Sequence, residues 1–277
     1  MPSSWTIDFH GKTVVVTGGN RGLGKGMTEA LAQAGATVAI IYHSATDADE
    51  IAAALAKQYD AKIKAYKCDV GDNAKVKATF KQIEADLGPI VGVVANSGIS
   101  IVKPALELDA ADFKKVFDVN VLGVFNTCQA AAALWVERQE PGSIVIISSM
   151  SSQIVNSPLT QCFYNSSKGA VSNLGKCLAA EWAPYKIRVN MVSPGFIDTD
   201  QTAHMPAELR ANQAKQVPMG RFSQPKEQTG QALLLLSEHS SLVLPIPNTV
   251  AEPSLTNPAN SYQTGSENFV DGGFLIW

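Results

Sequence analysis

The sequence has few of the residues that metal-binding and disulfide-stabilised proteins need. Its 277 residues include four histidines and four cysteines, and the cysteines (Cys68, Cys128, Cys162 and Cys177) form no C-x-x-C pair. No histidine clusters with them, so the sequence predicts no metal site. Scattered cysteines are typical of a cytosolic protein, and we expect four reduced and mostly buried thiols.

Charge of one sign and long apolar runs are also scarce. The formal net charge is -3, whereas proteins that bind nucleic acid through its phosphates carry a basic excess. No apolar run approaches the roughly 20 residues that span a bilayer. Residues 1–10 lack the charged start and apolar stretch of a signal peptide. We therefore expect a cytoplasmic protein that binds neither nucleic acid nor a membrane.

Short runs rich in valine and isoleucine alternate with longer helical patterns. The runs predict strands at residues 13–17, 37–42, 63–67, 92–95, 143–148, 187–192 and 269–271. The helical patterns cover residues 24–34, 47–59, 73–86, 109–135 and 163–182. Strands that are apolar on both faces and separated by helices imply a parallel sheet covered on both sides. The sequence therefore predicts one α/β domain with a doubly wound parallel sheet, the Rossmann fold.

A glycine-rich turn, T-G-G-N-R-G-L-G, follows the first predicted strand and opens into a helix. Gly18 permits a tight turn, Gly22 lets the backbone approach a pyrophosphate, and Gly24 allows the helix to pack closely on the strand. The helix N-terminus offers free N–H groups and a positive dipole end to the anion. Such a turn can also be simple loop chemistry, but its position favours a dinucleotide site. The remaining predicted cofactor residues of the turn are Asn20, Arg21 and Leu23.

The end of the second strand bears on which nicotinamide cofactor is bound. NAD-preferring sites place an acid about 20 residues beyond the glycine turn, on the ribose 2′-hydroxyl. Here the strand ends in Tyr-His-Ser, and no acid occurs before Asp47. Arg21 can supply positive charge to a 2′-phosphate and Ser44 a hydroxyl donor, although a solvated arginine in a polar loop is the alternative. NADP(H) is therefore favoured over NAD(H).

Tyr164 and Lys168 are four residues apart, so a helix places them on one face, one turn from each other. Free tyrosine has a pKa near 10 and is a poor acid–base catalyst at neutral pH. A neighbouring ammonium, together with the positive nicotinamide of an oxidised cofactor, would lower that pKa, whereas desolvation opposes both charged forms. A Y-x-x-x-K pattern is common on helices, so further features must support a catalytic role.

The T-G-x-x-x-G-x-G turn and the Y-x-x-x-K pair together resemble the short-chain dehydrogenase/reductase family over nearly the whole chain. The resemblance implies that Ser149 is the catalytic serine and that Asn120 is the fourth active-site residue. It also implies that Lys168 holds the nicotinamide ribose and that Asn120 carries a water in a proton relay behind it. Hydride transfer to a carbonyl carbon is the implied reaction, with Tyr164 as the acid–base group and Ser149 as a hydrogen-bond donor to the same oxygen.

The same resemblance implies further cofactor contacts. Asp69 matches the residue that contacts the adenine ring, although it can also serve as a turn or helix cap. Asn-Ser-Gly at residues 96–98 matches the family's Asn-Ala-Gly, with serine in place of alanine. The segment after the sixth strand resembles the one that holds the nicotinamide. The cofactor residues that follow from these matches are Asn96, Gly98, Pro194, Gly195, Ile197 and Thr199.

Residues 148–168, 178–182, 198–205 and 271–277 resemble a fungal branch of this family. That branch contains NADP-dependent mannitol 2-dehydrogenases and sorbose and L-xylulose reductases, which implies interconversion of a ketose and its polyol. Reduction of other carbonyls, such as a ketoester or a bulky ketone, is the alternative reaction. A cofactor-binding regulator without turnover is a second alternative, against which the intact serine, tyrosine and lysine count.

Three further expectations concern the surroundings of this site. Polar side chains at Gln153, Asn156 and Gln161 would bind substrate hydroxyls, or would only form a polar loop. Residues 199–224 would form a lid over the substrate. A proline-containing stretch at about 243–260 is predicted to be an exposed inserted loop, because long structureless loops are unusual in compact domains. The family resemblance also implies a homotetramer.

Overall fold

A parallel sheet of seven strands organises the part of the chain that this computed structural model describes, residues 7–237 and 263–276. The strands are β1 (Thr13–Thr17), β2 (Thr37–Tyr42), β3 (Ile63–Lys67), β4 (Ile90–Ala95), β5 (Gly142–Ile147), β6 (Ile187–Pro194) and β7 (Glu267–Val270). Their order is β3-β2-β1-β4-β5-β6-β7. The order reverses between β1 and β4, and ligands of such sheets bind at the carboxyl ends of the strands beside this switch point. The predicted doubly wound sheet is confirmed.

Helices cover both faces of the sheet. They are α1 (Gly22–Gln33), α2 (Ala48–Tyr59), α3 (Asn73–Leu87), α4 (Ala110–Phe117), α5 (Gly123–Arg138), α6 (Cys162–Trp182), α7 (Asp200–Ala203), α8 (Ala207–Gln216) and α9 (Thr229–Leu236). Alternate residues of β1 enter different cores: Val15 packs with side chains of α3, α5 and α6, whereas Val14 and Val16 pack with those of α1 and α9. This alternation is what a strand buried on both faces requires.

Three predicted strands have the expected bounds, and the other elements shift at their ends. α1 begins at Gly22 rather than at residue 24, because Arg21 has an extended backbone and is the N-cap residue. β6 runs on to Pro194, and β7 begins at Glu267 and ends at Val270. The inserted loop predicted at residues 243–260 lies outside the described residues.

The expectation of one uninterrupted helix over residues 109–135 is wrong. Asp109 caps α4 by accepting hydrogen bonds from the backbone N–H groups of Ala111 and Asp112. A π-helical segment, Asp118–Leu122, then separates α4 from α5, and α5 continues to Arg138. π-Segments within α-helices are frequently found at functional sites, and this one contains Asn120.

The helical run Ala110–Arg138 is long and apolar enough to cross a membrane, which the sequence expectation did not recognise. Of its most apolar window, however, 61% is buried inside the protein. Trp135 is fully buried and donates a hydrogen bond of 2.6 Å to the carbonyl of Ile90 at the start of β4. The run is therefore a core helix of this fold, and it is weak evidence for a membrane span.

The four cysteines are free, as expected, but only two are buried. Cys68 and Cys128 lie in the core, and burial raises the pKa of both thiols. Cys162 and Cys177 are exposed on α6, so the expectation of mostly buried thiols holds for half of them. Among the described residues, no group of three or more histidine, cysteine or acidic side chains is placed to hold a metal ion.

Packing of α5 on β5 predicts the effect of a single methyl group. A Cβ atom at Gly142 would lie 2.2 Å from two ring carbons of Trp135, whereas one at Gly230 in α9 would meet nothing within 4 Å. We expect Gly142→Ala to lower the free energy of unfolding by about 1–3 kcal/mol through overpacking. Gly230→Ala, the matched control, should raise it by about 0.5–1 kcal/mol. Urea denaturation measures both, and equal effects of the two changes would contradict the packing.

Candidate active site

The glycine-rich turn brings α1 against the end of β1. Gly22 has a φ of 51°, a conformation that glycine adopts without strain. A Cβ atom at Gly24 would lie 2.1 Å from the carbonyl oxygen of Gly18 and 2.6 Å from Nδ2 of Asn96. Only glycine therefore permits this approach, and the close packing predicted at Gly24 is present. The turn leaves the N-terminus of α1 open toward solvent, where an anion can bind.

Asn96 fixes this turn from the neighbouring strand. Its Nδ2 donates 2.9 Å to the carbonyl of Thr17, and the backbone N–H groups of Asn96 and Ser97 both donate to the Thr17 hydroxyl at 2.9 Å. The carboxamide predicted to contact the cofactor thus binds the backbone of β1. Thr17 was not singled out from the sequence, because a buried hydroxyl that accepts two N–H groups leaves no pattern in the chain.

A cavity of about 550 Å³ lies at the N-terminus of α1. Arg21 and Lys25 contribute positive charge to its wall, and Gly22 faces Thr199 across it, with 3.6 Å from a Cβ atom built on Gly22 to the Thr199 side chain. Asp47 also lies in the wall. In the sequence it comes after the end of β2, where NAD-preferring sites place an acid. The full lining is Asn20, Arg21, Gly22, Lys25, Gly26, Glu29, Ala45, Asp47, Ile51, Asp198, Thr199, Asp200 and Pro225.

Of the predicted cofactor residues, this lining contains Asn20, Arg21, Gly22 and Thr199, whereas Ser44 and Asp69 are among those that lie outside it. Ser44 is exposed just after β2. Asp69 accepts a hydrogen bond of 2.9 Å from the N–H of Gly71, and its other oxygen lies 3.8 Å from Nε2 of His43. Asp69 is thus a turn-forming residue, and the cap of α3 is Asp72. The turn does not occupy both carboxylate oxygens, so it is compatible with the adenine contact that the resemblance implies.

Ser149 and Tyr164 are brought together at the end of β5. Ser149 is 8% exposed, and its hydroxyl accepts 3.1 Å from the N–H of Ser151 in the 3₁₀ turn Met150–Ser152. Burial raises the pKa of Tyr164, and the contact with the Ser149 hydroxyl lowers it in part. The lowering expected from Lys168 is not among these causes. In the polypeptide itself, desolvation therefore outweighs the hydrogen bond.

Lys168 is buried beside Tyr164, with its ammonium nitrogen 5.7 Å from the centroid of the tyrosine ring. The side chain is 4% exposed, and Nζ donates a hydrogen bond of 2.8 Å to the carbonyl of Ile147, the last residue of β5. Burial lowers the pKa of Lys168 to about 8. One of its three protons is thus directed at the sheet, and two remain for other partners.

Asn120 joins the same cluster from the π-helical segment. Its Oδ1 accepts 2.8 Å from the N–H of Ile99, and its Nδ2 donates 2.9 Å to the carbonyl of Ile99 and 2.9 Å to the Ser167 hydroxyl. Both amide protons are used, so a water held by this side chain could donate only to the second lone pair of Oδ1. A Cβ atom at Gly98 would lie 3.5 Å from Oδ1 of Asn120 and 3.7 Å from Nζ of Lys168.

The segment after β6 returns to the glycine turn. A Cβ atom at Gly195 would lie 2.8 Å from Cα of Asp271, so the end of β6 packs tightly on the end of β7. Ile197 pairs with Ser223 in an isolated bridge, and Thr199 begins α7 as its capping residue. The structure thus places Ser149, Tyr164, Lys168 and Asn120 in one cluster and the glycine turn with Thr199 in an adjacent one.

Comparison with known proteins decides the family. A family model described as enoyl-(acyl carrier protein) reductase matches residues 18–244. The chain is 37% identical to a sorbose reductase of Candida albicans, covering 97% of this chain and 88% of that protein. It is 34% identical to a ribulose-forming D-arabinitol 2-dehydrogenase of Candida tropicalis (99% of each) and 33% identical to an NADP-dependent mannitol dehydrogenase of Alternaria alternata (98% and 94%).

Solved structures give the same result. A short-chain type dehydrogenase/reductase from Mycobacterium marinum is 35% identical, with a TM-score of 0.86 over 98% of both chains. An NADPH-dependent 3-quinuclidinone reductase from Rhodotorula rubra is 30% identical, with a TM-score of 0.86 over 100% of this chain and 97% of that one. The chain belongs to the short-chain dehydrogenase/reductase family.

Within this short-chain dehydrogenase/reductase, the three polar residues predicted to meet substrate differ in their surroundings. Gln153 is exposed. Asn156 is buried, and its Oδ1 accepts 3.1 Å from the Ser151 hydroxyl, which itself contacts Ser149 at 3.1 Å. Gln161 is buried and hydrogen-bonded to two side chains, those of Ser100 and Asn165. Asn156 is therefore connected to Ser149 through Ser151, a link that the sequence does not indicate.

The buried ammonium of Lys168 predicts a pH-dependent stability difference. Its pKa is about 8 in the folded protein against an ordinary value of 10.5, so burial of the charge costs about 3 kcal/mol below pH 8. This cost disappears as the pH rises from about 8 to about 10.5, because the folded protein loses the lysine proton near pH 8 and the unfolded chain loses it only near pH 10.5. The free energy of unfolding of Lys168→Met, relative to that of the wild type, should therefore be highest below pH 8. This difference should fall by about 3 kcal/mol between pH 8 and pH 10.5.

Urea unfolding at a series of pH values measures this difference. Lys176→Met, on the exposed face of the same helix, is the matched control and should show a stability difference that does not change with pH. A difference for Lys168→Met that is equally independent of pH would show that the ammonium is not desolvated.

Proposed function

We propose that this short-chain dehydrogenase/reductase is an NADP(H)-dependent enzyme that interconverts a ketose, such as fructose or sorbose, and its polyol. The observation that carries the proposal is the cluster of Ser149, Tyr164, Lys168 and Asn120 beside the glycine turn. A protein that only binds the cofactor has no need of a half-buried tyrosine in contact with a serine. The names of the relatives, which act on sorbose, arabinitol and mannitol, support a sugar or polyol as substrate.

In the direction of reduction, Tyr164 donates its proton to the carbonyl oxygen of the substrate, and in oxidation it takes the proton back. Ser149 donates a hydrogen bond to the same oxygen, where negative charge develops. The bound nicotinamide supplies or accepts the hydride. Lys168 keeps two protons for groups other than the Ile147 carbonyl, so its ammonium can bind the nicotinamide ribose while it stays fixed to β5. Asn120 holds the loop after β4 against α6.

The residues at the glycine turn fit a dinucleotide. The left-handed Gly22 and the close approach at Gly24 form a turn that a side chain at either position would fill. Arg21 in the cavity wall supports binding of a 2′-phosphate. Asp47 follows the position at the end of β2 where an acid would select NAD(H). NADP-dependent relatives support the same cofactor. The proposed cofactor residues are Gly18, Asn20, Arg21, Gly22, Leu23, Gly24, Ser44, Asp69, Gly98, Tyr164, Lys168, Pro194, Gly195, Ile197 and Thr199, with Asn96 as support of the turn.

The proposed lid, residues 199–224, contains α7 and α8. Val217 and Phe222 of this segment pack with Met150 and Phe196 next to the catalytic serine. Gln213 in α8 is fully buried and donates 2.8 Å to the carbonyl of Ser157. The segment therefore lies against the loop that leads to Tyr164, where a substrate would be covered.

We infer that the protein is a homotetramer in the cytoplasm, built from single-domain subunits that act on a small-molecule substrate. Exposed apolar side chains at Leu106, Phe113 and Leu122 offer surface for subunit contacts. Sedimentation equilibrium would measure the assembly, and a monomer at micromolar concentration would contradict it.

A second candidate is a reductase of bulky ketones. It is favoured by the NADPH-dependent 3-quinuclidinone reductase, which shares the fold over nearly its whole length. Both candidates use the same catalytic cluster and differ only in the substrate that the lid and the loop at residues 153–161 admit.

The catalytic role predicts the behaviour of one variant. Wild-type protein should oxidise NADPH with D-fructose, L-sorbose or L-xylulose, and Tyr164→Phe should lower kcat by about 10²- to 10⁴-fold because the general acid is removed. Loss of NADPH absorbance measures turnover, and NADPH fluorescence shows that the variant still binds the cofactor. Turnover of a ketoester or bulky ketone alone would select the second candidate. NADPH binding without turnover of any carbonyl would contradict both.

The cofactor preference predicts a second variant. Arg21→Ala should raise the KM for NADPH by about 10- to 100-fold, because a charge-assisted hydrogen bond to the 2′-phosphate is lost. The KM for NADH should stay within about twofold, since NADH lacks that phosphate. Lys57→Ala, a change of the same charge on the exposed face of α2, is the control for overall charge and should leave both values unchanged. Equal changes for NADPH and NADH would show that Arg21 does not select the cofactor.

A further inference from the structure

Glu267, the first residue of β7, accepts three hydrogen bonds on one carboxylate oxygen. Its Oε1 lies 2.9 Å from the hydroxyl of Ser152, 2.7 Å from that of Ser172 and 2.7 Å from that of Ser193. Ser172 and Ser193 are buried, and Ser152 and Glu267 are partly buried. Each serine comes from a different element, so a single acceptor connects β7 to the 3₁₀ turn after β5, to α6 and to β6.

A fourth hydroxyl extends this cluster toward the catalytic lysine. The hydroxyl oxygens of Ser148 and Ser172 are 2.7 Å apart, and that of Ser148 lies 3.2 Å from the backbone carbonyl of Lys168. Ser172 has one proton, which it donates to Glu267, so Ser148 is the donor in the shorter contact and shares its single proton between Ser172 and the Lys168 carbonyl. The acceptor at Glu267 therefore sets the direction of the whole chain of hydroxyls.

The members of the cluster flank the catalytic residues. Ser148 immediately precedes Ser149, and the N–H of Ser152 donates 2.9 Å to the carbonyl of Ser149. Ser172 follows Lys168 by four residues and lies one turn along the same face of α6. Ser193 immediately precedes the Pro194–Gly195 pair that leads to the proposed nicotinamide segment.

We propose that Glu267 is a positioning residue for the reaction, fixing Ser149, Lys168 and the end of β6 relative to one another through the four serines. The role rests on the proposed oxidoreductase function. Glu267 contacts none of the four catalytic side chains directly, so it acts through the serines that flank them. A misplacement of about 1 Å at a reacting group can cost about 100-fold in rate, which is the scale on which such a residue acts.

Substitution at Glu267 separates loss of the acceptor from loss of the charge. Glu267→Leu removes the acceptor and leaves three hydroxyls to find other partners, which changes the direction of the Ser148–Ser172 pair. Glu267→Gln keeps an amide oxygen in place of Oε1 and can still accept these bonds. We expect the leucine variant to be impaired and the glutamine variant to retain most of its rate.

The matched control lies on the same strand. Asn268, whose side chain points to the opposite face of β7, donates 3.2 Å to the carbonyl of Met191 and 3.0 Å to the Ser266 hydroxyl. Asn268→Ala therefore removes one bond that attaches β7 to β6, together with the bond to Ser266 and one from Gln231 of α9, on the face away from Ser149. This variant shows how weaker attachment of β7 alone changes the rate constant and the stability.

Single-turnover reduction of a ketose by enzyme with bound NADPH is the deciding measurement, since its amplitude counts competent molecules and its rate constant reports the chemistry. We expect the rate constant of Glu267→Leu to fall about 10- to 100-fold at unchanged amplitude, with the Kd for NADPH within about twofold. Glu267→Gln should stay within about threefold of the wild type. Asn268→Ala should lower the thermal midpoint and leave the rate constant unchanged.

Other outcomes overturn the proposal in distinguishable ways. A leucine variant with reduced amplitude and a wild-type rate constant would show a purely structural role. An equal fall of the rate constant in Asn268→Ala would attribute the effect to strand attachment in general. Wild-type protein that turns over no carbonyl would overturn the proposed function and the positioning role with it, whereas an active wild type with an unaffected leucine variant would overturn the positioning role alone.

Discussion

The constraint on which this site depends is the burial of an ammonium group at the carboxyl end of the sheet. Lys168 can lie there because Nζ donates to the last carbonyl of β5, which attaches α6 to the strand that also presents Ser149. Gly98 leaves room for it, and Asn120 holds the loop that contains Gly98 through Ile99. A desolvated cation is costly unless it is hydrogen-bonded, so the surrounding elements have little freedom to move. The geometry of the site follows from satisfying this one charge.

Burial has a second consequence, because it acts against both charged forms in the pair. It raises the pKa of Tyr164 and lowers that of Lys168, so the polypeptide favours a neutral tyrosine and weakens the lysine's hold on its proton. From the sequence we expected the lysine and the positive nicotinamide of an oxidised cofactor to lower the tyrosine's pKa together, against desolvation. In the polypeptide itself the net effect is a raised pKa of Tyr164, whereas the positive charge of an oxidised nicotinamide would lower it.

The sequence was sufficient where local composition determines structure and insufficient where distant side chains meet. β1, β2 and β3 were predicted with their observed bounds, and for β1 and β2 the reason is that valine and isoleucine runs between turn residues have few other solutions. The π-helical segment around Asn120 was missed, since one slipped hydrogen bond leaves no mark in composition. The direction of the Asn96 amide and the bonds of Glu267, to serines 74 to 115 residues away, depend on tertiary packing and could not be predicted.

The names of similar proteins bear on the choice of substrate. Proteins named for sorbose, arabinitol and mannitol share a third of their residues with this chain over nearly its whole length. Chains that are similar over nearly their whole length are thus named for different ketoses and polyols, so overall similarity does not determine which of them is the substrate. The loop at residues 153–161 and the α7–α8 segment meet at the Gln213–Ser157 hydrogen bond. Loops on a rigid sheet tolerate changes that a buried, hydrogen-bonded lysine does not, so these two segments are where the surroundings of the site can vary.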